Sequence, residues 1–72
     1  MTDALIDQIA AMHRRQHSSV QLLAMLASEK AAVKRQEQHL RAVGRNALGV
    51  ATLNALKDSQ AAIARAVGLS SF

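Results

Sequence analysis

His13 and His17 stand four residues apart, the spacing that brings two imidazoles to one side of a helix and within reach of a single metal ion. Two ligands do not hold a metal, and the residues between them are Arg14 and Arg15. No Asp, Glu or Cys lies close by to complete the sphere, and His39 is remote unless a second chain supplies it. Solvated or interfacial imidazoles are therefore the expectation, and no cofactor is expected. Nucleophilic or acid–base catalysis needs a positioned group and a second residue to orient it. Ser18, Ser19, Ser59, Ser70 and Ser71 have no His and carboxylate arranged around them. Asp3 and Asp7 sit where a helix N-terminus favours negative charge. No set of catalytic roles can be assigned, and the chain is expected not to be an enzyme.

The basic residues make the next candidate. Nine Lys and Arg against five Asp and Glu leave a net charge of +4, which draws a protein towards anionic surfaces without choosing among them. Arg14, Arg15, Lys34, Arg35 and Arg41, with Lys30 and Arg45, are spread at spacings that suit contacts with a phosphate backbone. Glu29 and Glu37 interrupt them, Phe72 is the sole aromatic, and neither helix-turn-helix nor zinc-finger spacing is present. A solvated face with pairs four apart, such as Glu37 with Arg41, is the plainer reading. Nucleic-acid binding stands as the functional alternative.

These residues must be carried by helices. The chain has no Pro and no Cys, only three Gly, and few β-branched residues, so helix breakers and strand formers are both scarce. Thr2 is placed to cap a helix entering at Asp3. From there Leu5, Ile9, Met12, Leu23, Leu26, Val33 and Leu40 follow one stripe of three and four spacings, the mark of a helix buried along a seam. Polar Gln16, Ser19, Lys30 and Glu37 interrupt that stripe. Ser18 followed by Gln21 has the form of a capping box, which would restart the helix there. With neither Gly nor Pro at that point, the expectation is one continuous helix over about 3–43.

Gly44 suits the position after a helix end, and Asn46 can cap a second helix. Its stripe is Leu53, Leu56, Gln60, Ile63 and Val67, and Gly68 reads as its stop. The expected fold is all-α, a single domain over 1–72 made of an antiparallel hairpin with coiled-coil-like packing and a shorter helix over about 47–67. At 1.5 Å per residue the first helix is roughly 60 Å long and the second roughly 30 Å. The mismatch leaves Leu5, Ile6, Ile9 and Met12 without cover from their own chain. Together with Leu23 and Leu26 they are the expected protein interface. A chain this short gains little from its own core and usually adds disulfides, a metal or a partner. A homo-oligomer or a partner protein is the expectation here. The one fold that keeps a monomer is a break near Ser18 that returns residues 3 to 16 as a third helix.

The longest apolar run, Leu22 to Ala27, is too short to cross a bilayer, so no membrane insertion is expected. The first residues lack a basic stretch leading into an apolar one, and a cytoplasmic location is expected.

Towards the C-terminus, Arg45-Asn46-Ala47, Lys57-Asp58, Ala61-Ala62-Ile63 and the terminal Phe72 resemble the second helix of type III secretion needle subunits. Those are small helical hairpins that polymerise through this helix. The lopsided hairpin is also similar in shape to the co-chaperones that keep needle subunits soluble. The resemblance covers about the last thirty residues and implies a non-enzymatic protein that works by assembly. The Pro-containing turn of the needle subunits has no counterpart in this chain, which lacks Pro altogether.

Overall fold

The computed structural model describes residues 2–69; Phe72, part of the resemblance above, lies outside them. Three helices account for the described chain: α1 over Asp3–Gln16, α2 over Ser19–Val43 and α3 over Ala47–Leu69. The all-α class is as the sequence leads one to expect. The single long helix is not formed, because the chain breaks at His17 and Ser18, both extended, with ψ of 147° and 165°. The cause is the capping box. Ser18 Oγ accepts the Gln21 N–H at 3.2 Å, and Gln21 Oε1 accepts the Ser18 N–H at 2.8 Å, so two donors that a helix start leaves orphaned are satisfied reciprocally. Thr2 Oγ1 caps α1 in the expected way, accepting the Leu5 N–H at 3.3 Å.

α2 and α3 form the antiparallel hairpin. Gly44 ends α2 at φ 91°, ψ 154°, a conformation open essentially to glycine alone, while its N–H still reaches the Leu40 carbonyl at 2.9 Å. Asn46 then caps α3, its Oδ1 accepting the Gly49 N–H at 2.8 Å. The turn lies where Gly44, Arg45 and Asn46 predict it. At the other end α3 runs on through Gly68 to Leu69, so that glycine does not stop the helix.

The hairpin is close at its turn. Leu40 is buried beside Gly49, where an added Cβ would lie 2.5 Å from Leu40 Cδ2, and Gln36 Nε2 donates to the Gly49 carbonyl at 3.2 Å. Further along, Lys57 pairs with Glu37 at 3.8 Å. This replaces the expected pairing of Glu37 with Arg41. α3 is the central element, packing extensively against both other helices, whereas α1 and α2 touch little. That explains why its buried arc is wider than one stripe. Leu53 and Ile63 lie on the expected seam, and Ala62 and Ala66 are fully covered beside it. Ala66 packs with Ala10 of α1 and Leu22 of α2, flanked by Met25 and Val67. Small residues there let α1 approach closely, but each buries little area.

Candidate interaction surface

On α1 the inward residues are Ile6 and Ala10, not the Leu5, Ile9, Met12 stripe. The buried face is turned by about one residue, roughly 100° around the helix, because α1 doubles back onto α3 instead of prolonging α2. Ile6 is thus covered by its own chain. Ile9 is half-buried, while Leu5 and Met12 keep 44% and 47% of their surface in solvent. On α2, Leu22 is fully buried, Leu26 is half-buried and Leu23 is 47% exposed. Of the six expected interface residues, then, Leu5, Met12 and Leu23 are open, Ile9 and Leu26 are partly so, and Ile6 belongs to the intrachain core.

Val20, Val43, Leu48 and Leu69 are further exposed apolar residues outside that set. Leu48 was legible. It falls away from the Leu53, Leu56, Gln60, Ile63, Val67 stripe when that stripe is carried back one turn. Val20 was legible on the same ground, since it falls beside the Ser19 and Leu23 stripe and not on it.

An interaction that sequence spacing did not indicate fixes α1 in place. Arg65 Nη1 donates to Asp7 Oδ1 at 2.7 Å and to the Asp3 carbonyl at 3.2 Å, and Nη2 donates to Asp3 Oδ1 at 3.1 Å. The guanidinium fork spans the two carboxylates, which sit one turn apart on α1. The bond to Asp7, and after it the bond to Asp3, raises the arginine pKa above its ordinary value. Asp3 and Asp7 therefore bind a specific partner, in addition to lying at the helix start where the dipole favours them.

The basic candidates Arg14, Arg15, Lys34, Arg35 and Arg41 are all exposed. Ion pairs among the described residues involve Lys57 and Arg65 instead. Lys34 and Arg41 are seven residues apart and share a side of α2 with Lys30, whereas Arg35 projects about 100° away. The five do not form one patch. His13 and His17 do come together, with ring centroids 6.0 Å apart and tilted by 33°. His13 Nδ1 is buried without a hydrogen-bond partner. No group of three or more His, Cys, Asp or Glu suited to a metal occurs among the described residues. Among the described residues no pocket opens, and no helix is long and apolar enough to cross a membrane.

No protein family, characterised protein or solved structure was found to match the chain. The likeness to secretion subunits therefore stands on the quoted residues alone.

Proposed function

We propose that this chain is a small, non-enzymatic helical protein that acts through assembly in the cytoplasm, oligomerising or co-folding with a partner protein, as secretion-system subunits and co-chaperones do. The observation that carries the reading is how little of its apolar surface the fold uses. Its accessible surface is 4800 Å² for 7.7 kDa, against about 4300 Å² for a typical globular chain of that mass. Its radius of gyration is 13.3 Å, against about 11 Å for a compact domain of this length. Three of the eight buried residues are alanines, while seven larger apolar side chains remain exposed among the described residues. Burying a Leu or Met side chain in an interface stabilises by about 1.5 to 3 kcal/mol, a large fraction of the stability a small core supplies.

Folding α1 back removes part of the length-mismatch argument, since Ile6 now has intrachain cover. What remains is the set Leu5, Met12 and Leu23, and these are the residues to test. Paired Leu5→Asp and Met12→Asp substitutions are expected to shift sedimentation equilibrium towards the monomer without loss of helix. Unchanged association in that variant refutes this surface.

Nucleic-acid binding is the alternative, favoured by one observation: Lys30, Lys34 and Arg41 line one exposed side of α2. If it holds, affinity for a duplex falls steeply with salt, and each lost phosphate contact flattens the slope by roughly one unit. Replacing Lys30, Lys34 and Arg41 together then matters more than replacing Arg14, Arg15 and Arg35, which lie elsewhere. Equal effects from the two sets would leave only non-specific attraction.

A further inference from the structure

We propose that the partner of this assembly is a second copy of the same chain, joined by exchange of α1: the His17–Ser18 break straightens, and each α1 docks on the α3 of the other copy. The inference rests on the assembly reading above and adds its geometry. Three features carry it. First, α1 is attached to its own chain mainly through α3, touches α2 little beyond Leu22, and is linked to α2 by only two extended residues. Its docking surface, comprising Ile6, Ala10 and the Asp3 and Asp7 carboxylates held by Arg65, can be rebuilt unchanged between two chains. This is the condition under which exchange is a low-cost route to a dimer.

Second, the break is closely balanced against a continuous helix. Neither hinge residue is Gly or Pro, so both can enter the helical region. Straightening removes the two capping-box bonds and lets the N–H groups of Ser18, Ser19, Val20 and Gln21 bond to the carbonyls one turn before them. Third, straightening aligns three of the side chains left exposed in the folded-back form, Leu5, Met12 and Leu23. With the half-buried Ile9 and Leu26 they fall in register at alternating spacings of three and four through Gln16 and Ser19. Two straight helices passing one another about a twofold axis at the hinge bring Met12 and Leu23 of each copy to the other, adding contact that the monomer lacks.

Proline at the first position of α2 fits the folded-back form, because that N–H is an orphan and Ser18 is already extended at ψ 165°. The same proline blocks a helix running through the hinge. Ser19→Pro is therefore expected to weaken the dimer by about a hundredfold or more in sedimentation equilibrium, with two hinges affected per dimer. Removing the capping box with Ser18→Ala and Gln21→Ala is expected to tighten it roughly thirtyfold and raise helix content by circular dichroism. A mixture of an Asp7→Arg chain and an Arg65→Asp chain is expected to enrich the heterodimer in native mass spectrometry, since only exchange pairs the reversed charges. If Ser19→Pro associates as the natural chain does while Leu5→Asp with Met12→Asp dissociates it, exchange is wrong and the assembly reading stands. If neither the natural chain nor the cap-deleted chain self-associates, exchange is overturned, and so is self-association through the Leu5 and Met12 face. A statistical mixture in the charge-reversal experiment likewise overturns exchange.

Discussion

Gly49→Ala tests the packing of the hairpin most sharply, because two effects of opposite sign meet at one atom. Within a helix, alanine is favoured over glycine by about 1 kcal/mol, and somewhat less in the first turn, where Gly49 lies. Against this, the new Cβ would sit 2.5 Å from Leu40 Cδ2 and 3.3 Å from Asn46 Oδ1. Leu40 is 1% exposed, so its methyl group has no open space to retreat into. Overpacking of this kind costs about 1 to 3 kcal/mol, and any displacement of Asn46 weakens a cap worth about 1 kcal/mol. The clash wins, leaving Gly49→Ala less stable by about 1 to 2 kcal/mol, with the melting temperature lowered by roughly 4 to 8 °C per kcal/mol. Gly68 is the internal control: a Cβ there meets nothing within 4 Å, so Gly68→Ala is neutral or stabilising by up to about 0.5 kcal/mol near the helix end. Thermal melts followed by circular dichroism at one fixed protein concentration compare the two. Adding Leu40→Val to Gly49→Ala should recover part of the loss, a non-additivity expected only of touching residues. Stabilisation by Gly49→Ala equal to that by Gly68→Ala would refute the close approach of α2 and α3.

Leu22→Ala empties the point where all three helices meet and is expected to cost about 2 to 5 kcal/mol in urea unfolding; a loss below 1 kcal/mol would mean that the junction is not packed. Gly44→Ala has space for its Cβ but not the backbone freedom, since φ is 91°, and is expected to cost about 1 to 3 kcal/mol, a loss that Asn, more tolerant of positive φ, does not fully restore. Arg65→Ala frees α1 and should raise amide exchange in α1 far more than in the α2–α3 hairpin; uniform protection across the three helices would show that the bonds to Asp3 and Asp7 do not hold it. Because those bonds raise the arginine pKa, the guanidinium's contribution is complete below its ordinary value and is lost only as pH rises through the raised one. The difference in stability between the natural chain and Arg65→Met should therefore show no arginine titration on the neutral side of that range, and a step there would contradict the assignment.

Most of the secondary structure was written in local signals. Thr2, Gly44 and Asn46 mark helix ends through their own backbone and side-chain geometry, so their roles hold whatever the tertiary fold. The Ser18 and Gln21 box was visible too, but its weight was not. The stripe through Leu5, Ile9, Met12, Leu23 and Leu26 argued for continuity, and periodicity carries no information on whether two reciprocal side-chain bonds outweigh four helical ones. Once the break forms, α1 turns its Ile6 and Ala10 side inward, with Ala10 packed on Ala66 of α3, a residue more than fifty positions away. Arg65 with Asp3 and Asp7 is a contact of the same long-range kind. The two carboxylates were legible only as charge favoured at a helix start, and the fold alone reveals which cation they take. The basic set shows the converse. Exposure of Arg14, Arg15, Lys34, Arg35 and Arg41 was easily foreseen. The separation of Arg35 from Lys34 and Arg41 follows from helix phase within α2, and the placing of Arg14 and Arg15 on a separate helix follows from the break.

Self-association through the side chains that this thin core leaves outside is the central prediction for this chain. Sedimentation equilibrium of the natural chain over a wide concentration range measures this directly. The prediction is a weight-average mass that climbs from 7.7 kDa towards twice that value, in step with a concentration-dependent melting temperature, and that stays near the monomer in the Leu5→Asp, Met12→Asp variant. A fully helical natural chain that sediments as a monomer at every concentration, and melts at the same temperature throughout, would contradict it.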